Sequence, residues 1–165
     1  MSNLSKISQK IFLSSSDTAF KTQLSLWKSE GKTIVFSNGC FDLLHRGHIE
    51  YLAKTADVGN VLIVGLNTDA SVSRIKGADR PIQDEHSRAI ILAAISFIDA
   101  VVLFDEDTPY NLIKEISPNC LVKGADYKTE DIVGYDIVTS NGGQVVTIDL
   151  TEGYSTSNII ERIKK

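Results

Sequence analysis

The chain has 165 residues, of which 42% are hydrophobic and 23% are charged, and its formal net charge is −4. This length suits one ordinary domain, and the composition is that of a globular protein with a sizeable core. The acidic balance and the lack of a basic block argue against a nucleic-acid partner. The longest apolar stretch, residues 89–95, is far shorter than a membrane span, so no membrane association is expected.

Two features predict the cellular compartment. Cys40 and Cys120 are the two cysteines of the chain and lie far apart in sequence, which makes no disulfide framework and suits a reducing compartment. The N-terminus lacks the apolar region of a signal peptide. We therefore expect a cytoplasmic protein.

The first predicted elements follow a polar start. Residues 1–16 are rich in serine, and we expect a loosely ordered lead-in there, followed by a single domain over residues 17–165. A helix is predicted over residues 17–30, because Asp17 is a typical N-cap residue and apolar residues recur behind it at helical spacing.

Short apolar strands then alternate with helices. Strands are predicted at 33–36, 61–64, 101–104, 120–122 and 145–148. Helices are predicted to begin near residues 46 and 155 and to span residues 85–98. Another helix is predicted to begin after Thr108 as N-cap, with Pro109 as its first residue. A further helix is predicted over residues 129–140, with an interruption at Gly134. The polar stretch 67–84 is expected to be mostly loop.

This alternation is typical of βαβ units. It predicts an α/β fold, a Rossmann-like doubly wound sheet of about five parallel strands with helices on both faces. In such sheets ligands bind at the carboxyl ends of the strands, near the point where the strand order reverses. The loops after Phe36, Leu66, Val122 and Leu150 are therefore the places to search for a site.

The segment SNGCFDLLHRGH, residues 37–48, follows the first of these strands and is suited to hold phosphate. A helix that begins near Arg46 or Gly47 presents unpaired backbone N–H groups and the positive end of its dipole to an anion. Gly39 and Gly47 allow a ligand to approach the backbone closely.

Two histidines of this segment are candidates for catalysis. His45 and His48 are three residues apart, so both can lie on one side of the helix start. Imidazoles there can donate hydrogen bonds to phosphate oxygens as charge develops in a transition state. Alternatives are a metal site that includes Cys40, although a fourth ligand at matching spacing is lacking, and a Cys40–His45 nucleophile and base. His86 has no partner motif and is expected to be structural.

The stretch GCFDLLHRGH resembles the H-x-G-H signature of the nucleotidyltransferase superfamily, which includes glycerol-3-phosphate cytidylyltransferase and phosphopantetheine adenylyltransferase. With LNTDASVSRIKGADRPI, LVKGADY and GYSTSNII in the same order, the chain is similar to the adenylyltransferase domain of ADP-heptose synthases over about residues 32–164. The resemblance implies that D-glycero-β-D-manno-heptose 1-phosphate attacks the α-phosphorus of ATP. The products are ADP-heptose, for lipopolysaccharide core synthesis, and pyrophosphate, with Mg²⁺ as cofactor and no metal ligands on the protein.

The resemblance also implies roles for the matching residues. His45 and His48 line the α- and β-phosphates and stabilise the pentacoordinate state, and Lys76 on a mobile loop clamps the phosphates of both substrates. Nucleotide contacts are implied for Asn38, Gly39, Cys40, Phe41, Gly47, Lys123, Gly124, Asp126, Ser155, Thr156 and Ser157. Sugar-phosphate contacts are expected for Asp42, Arg74 and Arg88, with a surface ion pair as the open alternative for Arg88.

The chain departs from the family pattern at two positions. Ile160 stands where relatives often have an arginine that contacts the triphosphate. Leu150, just before Thr151, stands where the glycerol-phosphate cytidylyltransferases have an arginine. This difference argues against a cytidylyltransferase function for the chain.

Other functions remain open at this point. They are a cytidylyltransferase acting on glycerol 3-phosphate or a similar small alcohol phosphate, a non-catalytic nucleotide-binding module, and a metal-dependent hydrolase. The expected partners are the small-molecule substrates, and relatives suggest a homodimer. A separate heptose kinase would act in the same pathway.

Overall fold

The computed structural model describes residues 1–126 and 128–165, so Tyr127 of the segment LVKGADY lies outside the described residues. Its strands are β1 (Ile11–Phe12), β2 (Ile34–Gly39), β3 (Val61–Asn67), β4 (Ala100–Phe104), β5 (Cys120–Gly124) and β6 (Gln144–Ile148). Its α-helices are α1 (Asn3–Ser8), α2 (Thr18–Ser29), α3 (Arg46–Ala56), α4 (Asp69–Lys76), α5 (Glu85–Ala93), α6 (Tyr110–Ile116), α7 (Tyr135–Ser140) and α8 (Thr156–Ile163). A 3-10 helix spans Thr129–Asp131. Within these ranges, no helix is long and apolar enough to pass through a lipid bilayer.

The strands form one parallel sheet in the order β1-β4-β3-β2-β5-β6. The chain runs from β2 through β3 to β4 on one side and then crosses back to build β5 and β6 on the other. The predicted α/β doubly wound sheet is confirmed, with six strands in the described part instead of about five. The strand order reverses beside β2, so a crevice is expected at its carboxyl end.

Helices cover both faces of the sheet, which explains why the strand segments are continuously apolar. Successive strand residues point to opposite faces and therefore enter different buried clusters. One cluster joins Ile34, Phe36, Ile63 and Val102 of the strands to Phe20, Ile113 and Ile116 of the helices. The other joins Val35, Leu62, Val64 and Val101 to Tyr51, Leu52, Ala89 and Leu92.

Residues 1–16 differ from the loosely ordered lead-in that their composition indicates. They contain α1 and β1, and β1 pairs with β4 at the edge of the sheet. Phe12 is buried with its ring centroid 5.1 Å from that of Phe20. The Nζ of Lys10 donates to the carbonyl of Ile98 at 2.7 Å. Contacts with distant parts of the chain, rather than a local pattern, order this segment.

One predicted loop and two predicted helix boundaries also change. The segment 67–84 contains α4, whose N-cap Thr68 accepts a hydrogen bond from the N–H of Ser71 at 3.2 Å. Only two residues of α4 are buried, so the apolar signal for this helix in the sequence is weak. Helix α5 ends at Ala93, before its predicted end, and Pro109 is the N-cap of α6 rather than its first residue.

Leu52 tests the assignment of the core on the α3 side of the sheet. It is 0% exposed, so alanine there should lower the free energy of unfolding by about 2–5 kcal/mol through lost apolar burial and the cavity left behind. Urea denaturation followed by circular dichroism measures this loss. Ile49→Ala on the same helix, at a side chain that is 38% exposed, is the matched control and should cost about 1 kcal/mol or less. Equal losses in the two variants would contradict the assignment.

Candidate active site

A cavity of about 630 Å³ opens at the carboxyl ends of β2, β3 and β5. Its volume is in the range of small-molecule binding sites. The predicted site residues that line it are Asn38, Gly39, Cys40, Phe41, Asp42, His45, Gly47, His48, Lys76, Lys123, Gly124, Asp126, Ser155, Thr156 and Ser157. Arg74 and Arg88 do not line it, and neither does His86. The fold thus brings together four separate segments of the sequence.

His45 is the N-cap residue of α3, and its ring is stacked on that of His48. The ring centroids are 3.8 Å apart with an angle of 20° between the planes. The Nδ1 atom of His45 accepts from the backbone N–H of His48 at 3.4 Å, which is a long hydrogen bond. A neutral imidazole that accepts at Nδ1 carries its proton on Nε2. His45 can therefore donate a hydrogen bond to a ligand from Nε2.

His48 is neutral at physiological pH. Burial, followed by the neighbouring His45, lowers the pKa of His48 to about 4. Burial also lowers the pKa of His45. Among the described residues, the buried Oδ1 of Asn38 has no hydrogen-bond partner. Buried polar atoms are normally paired, so such an atom beside a cavity points to a functional site.

Residues 40–45, here called the histidine loop, are held in a strained conformation. Phe41 has a positive φ of 45°, which is uncommon for a residue other than glycine. Its buried ring meets His48 edge-on, with the centroids 5.3 Å apart. A Cβ at Gly39 would lie 2.9 Å from the Phe41 ring, so glycine is needed there for the ring to pack. The ring of Phe41 thereby supports the position of His48.

Asp42 lies at the cavity wall, but its carboxylate is already occupied. Oxygens of Asp42 accept from Nε of Arg80 at 2.6 Å, from the N–H of Ile82 at 2.8 Å and from the N–H of Gln83 at 2.9 Å. Burial raises the pKa of Asp42, but the hydrogen bonds from Gln83, Ile82 and Arg80 outweigh it, so the pKa is lowered. The geometry therefore favours a structural cross-link over the predicted contact with a sugar phosphate.

Arg74 and Arg88 also differ from the predicted sugar-phosphate contacts. Arg74 is exposed, and its guanidinium pairs with Asp107 at 2.9 Å and contacts Asp105. Arg88 is fully buried beneath the site, and its Nη2 pairs with Asp69 at 2.7 Å. Neither guanidinium reaches the cavity, because carboxylates and carbonyls of the protein already hold it.

Lys76 is the last residue of α4 and lies on the cavity wall. Gly77 follows it with a φ of 106°, a conformation that suits glycine and ends the helix. The side chain of Lys76 is exposed, so its ammonium can move on its flexible stem. This placement suits a cation that binds phosphate, and closure of the loop over a substrate stays a prediction.

The end of β5 adds a second lysine. Burial lowers the pKa of Lys123 to about 8, although the charge of Asp126 favours the protonated form. A Cβ at Gly124 would lie 2.7 Å from the carboxylate of Asp126, so a side chain there would displace this group. Lys123 and Asp126 thus form a compact polar edge to the cavity.

The start of α8 is tied to the histidine loop. Ser155 is its N-cap and accepts from the N–H of Asn158 at 3.0 Å. The hydroxyl of Thr156 donates to the carbonyl of Leu43 at 3.3 Å. Two helix N-termini, those of α3 and α8, therefore border the same cavity, and helix N-termini attract anions.

Several site residues were not predicted from the sequence. The hydroxyl of Tyr51 donates to the carbonyl of Val122 at 3.1 Å and lies 2.8 Å from the hydroxyl of Ser37, so α3 is attached to β2 and β5. Tyr154 lies beside His45, with the ring centroids 6.3 Å apart. Tyr154 could have been suspected as the aromatic residue of GYSTSNII, whereas Tyr51 resembles any buried helix residue.

The alternative chemistries gain no support from the geometry. Burial raises the pKa of the Cys40 thiol, and the charges of Lys76 and Arg88 offset this only in part. Cys40 is thus a poor nucleophile, in agreement with a small residue packed at a turn. In the ranges that the structure covers, no three histidine, cysteine, aspartate or glutamate side chains gather as metal ligands would.

Residues 36–162 match the model of a family described as cytidylyltransferase-like. The chain belongs to the cytidylyltransferase-like family. The nucleotidyltransferase resemblance inferred from the sequence is thereby confirmed.

One relative within this family is the bifunctional protein HldE of Syntrophotalea carbinolica, 57% identical over 140 residues. The match covers 85% of this chain and 29% of the relative, so the chain spans less than a third of the length of that protein.

Two solved structures show the same fold. The lipopolysaccharide core biosynthesis protein of Thermoplasma volcanium has a TM-score of 0.61 at 28% identity, over 76% of this chain and 100% of that chain. The pantoate-beta-alanine ligase of Francisella tularensis, complexed with beta-gamma ATP and beta-alanine, has a TM-score of 0.59 over 93% of this chain and 76% of that chain. At 15% identity, the ligase supports the fold alone.

The depressed pKa of His48 makes the stability of the protein depend on pH. The pKa of His48 is about 4 in the folded protein and 6.5 for an ordinary histidine, so the unfolded chain binds the proton more readily. The contribution of His48 to stability is therefore fully present above pH 6.5 and is lost as the pH drops from 6.5 toward 4. Urea unfolding at several pH values, with an NMR titration of the His48 ring, measures this effect.

In His48→Gln, the free energy of unfolding should depend less on pH between 6.5 and 4. His86→Gln, at an exposed position outside the cavity, is the matched control. A His48 ring that titrates near its ordinary value would contradict the burial and stacking described above.

Proposed function

We propose that the chain transfers AMP from ATP to D-glycero-β-D-manno-heptose 1-phosphate, giving ADP-heptose and pyrophosphate. The observation that carries this proposal is the stacked His45–His48 pair at the start of α3, inside a cavity that also contains Lys76 and the start of α8. The similarity to HldE and to a lipopolysaccharide core biosynthesis protein supports the sugar-phosphate branch of the family.

The reaction is a direct displacement at phosphorus. A phosphate oxygen of the sugar attacks the α-phosphorus of ATP, the bond from this phosphorus to the oxygen bridging to the β-phosphorus breaks, and pyrophosphate leaves with the electron pair. The step requires in-line positioning and neutralisation of charge, without a covalent intermediate on the protein. The cavity supplies such positioning from two sides, through α3 and α8.

The two histidines stabilise the transition state. In the free protein, burial lowers the pKa of both imidazoles, which favours their neutral form. A bound triphosphate raises the pKa of both rings, because a nearby negative charge favours the protonated form. The hydrogen bonds that the two imidazoles donate are thus strongest when negative charge develops on the α- and β-phosphates.

The remaining cations and helix ends hold the two substrates. Lys76 lines the cavity together with Gly47 at the start of α3 and Ser157 at the start of α8, so its ammonium and the N–H groups of two helix starts are available to phosphates. Asn38 and the segment from Lys123 to Asp126 contact the nucleoside. Leu150 lines the cavity without offering a charge, which favours ATP over the CTP of the glycerol-phosphate enzymes.

Magnesium enters as part of the nucleotide substrate. Mg²⁺ in nucleotide sites is held by substrate phosphates together with one or two carboxylates. Asp131 lines the cavity and can supply a carboxylate, in contrast to the expectation of no metal ligands on the protein, whereas the carboxylate of Asp42 is occupied by Arg80. Bound Mg²⁺ would neutralise charge on the leaving pyrophosphate.

The proposed setting is the cytoplasm, where ATP is available and where the free thiols of Cys40 and Cys120 stay reduced. We also propose that a separate sugar kinase supplies the 1-phosphate, whose phosphate oxygen is the nucleophile. We further propose that the chain acts as a homodimer.

A pyrophosphate-release assay tests the reaction and its alternative together. ATP and CTP are each combined with heptose 1-phosphate anomers and with glycerol 3-phosphate, with Mg²⁺ present. Release is expected only with ATP and a heptose 1-phosphate, and a chelator should abolish it until Mg²⁺ is restored. Release with CTP and glycerol 3-phosphate would replace this proposal by the cytidylyltransferase alternative. ATP binding without release would favour a nucleotide-binding module.

His48→Ala tests the catalytic assignment. Loss of one donor to the developing charge should lower turnover by about 100-fold or more, while the thermal unfolding transition stays cooperative. His86→Ala is the matched control and should keep the turnover of the unchanged protein. An unchanged turnover in His48→Ala would remove this histidine from the mechanism.

A further inference from the structure

Arg88, near the start of α5, makes an unusual set of contacts for a buried cation. Its side chain is 0% exposed. Its Nη1 donates to the carbonyls of Cys40 at 2.7 Å and Asn67 at 2.8 Å, and its Nε donates to the carbonyl of Gln83 at 3.0 Å. Its Nη2 pairs with the carboxylate of Asp69 at 2.7 Å. One guanidinium therefore joins four acceptors from three segments: the histidine loop, the junction of β3 and α4, and the residues just before α5.

Each acceptor belongs to a segment that positions part of the candidate active site. Cys40 begins the histidine loop, and Asn67 is the last residue of β3. Asp69 is the first residue of α4, the helix that ends at Lys76. Gln83 belongs to the segment that holds the carboxylate of Asp42. Arg88 is thus the point where the supports of the histidines and of Lys76 meet.

The chemistry of the contacts requires a guanidinium. A buried charge is unfavourable unless its hydrogen bonds are satisfied, and an apolar side chain of similar volume would often be at least as stable. Asp69 is the one carboxylate that pairs with Arg88, and the other three acceptors are backbone carbonyls. The planar fork of arginine can span them, whereas the compact ammonium of lysine cannot.

We propose that Arg88 is a positioning residue for nucleotidyl transfer. Its guanidinium holds the histidine loop at the end of β2 and helix α4 after β3 at a fixed distance from one another. This inference rests on the proposed function for its kinetic test. Arg88 does not touch a substrate, and it acts through the backbone of Cys40 and Asn67 and through Asp69.

The role predicts a specific kinetic effect. A small displacement of groups that act together in the transition state lowers turnover more than it weakens binding of the ground state. Arg88→Lys keeps the charge but loses the fork, so kcat should fall by about 10- to 100-fold. The KM for ATP should stay within about threefold, because Lys123, Gly124 and the start of α8, which Arg88 does not contact, also hold the nucleotide.

Leu92→Ala is the matched control, because Leu92 lies one turn later on α5, is fully buried and packs in the core. It should lower the thermal unfolding temperature while keeping kcat, measured at a temperature where all variants are folded. Arg88→Gln, which keeps two donors without the charge, provides a second variant. Full turnover in Arg88→Lys, or an equal loss in Leu92→Ala, would overturn the positioning role.

A substrate-free measurement separates this inference from the proposed function. NMR signals of the His45 and His48 rings should shift in Arg88→Lys and stay in place in Leu92→Ala. If the unchanged protein turns over none of the sugar phosphates, the proposed function fails, and the histidine signals alone decide the role of Arg88. Unshifted histidine signals in Arg88→Lys would overturn it.

Discussion

The geometry of the site depends on the hydrogen bonds that the buried carboxylate of Asp42 accepts. Its side chain is 1% exposed, and its partners are Arg80 and the backbone N–H groups of Ile82 and Gln83. An ionised carboxylate is stable out of water only where hydrogen bonds replace its hydration. All of these partners come from one short segment after α4. The histidine loop and that segment are therefore a single structural unit.

Backbone geometry supplies much of the electrostatic character of the cavity. The helices α3 and α8 both begin there, and their N-cap side chains, His45 and Ser155, leave further N–H groups free for an anion. Three lysine or arginine side chains of the described residues line the cavity, and Arg80 is paired with Asp42, so Lys76 and Lys123 remain as cations for a ligand. The chain as a whole carries a net charge of −4. A site with so little fixed charge suits an anionic ligand that brings its own counterion, as a nucleotide with magnesium does.

The sequence predicts the fold well because continuous apolar strands and alternating helices allow few arrangements. The segment proposed to bind phosphate is also visible in the sequence, since His45 and His48 lie close to Gly39 and Gly47 after a strand. The sequence does not reveal β1, which two residues form through contact with β4, or the helix α4, which buries little. It also misleads at Arg88, because a charged side chain looks the same in sequence whether it binds a ligand or the protein's own carbonyls.

The weak anchoring of α8 has a consequence for how the protein responds to its ligand. None of the residues of α8, all of them described, is fully buried, and its start is attached through Thr156 to Leu43. Such a segment opens at a lower free energy than the sheet and exchanges its amide hydrogens sooner. A ligand that binds α3 and α8 together favours, by mass action, the state in which α8 is folded against the cavity. Occupancy of the cavity and order in the last helix are thus thermodynamically linked.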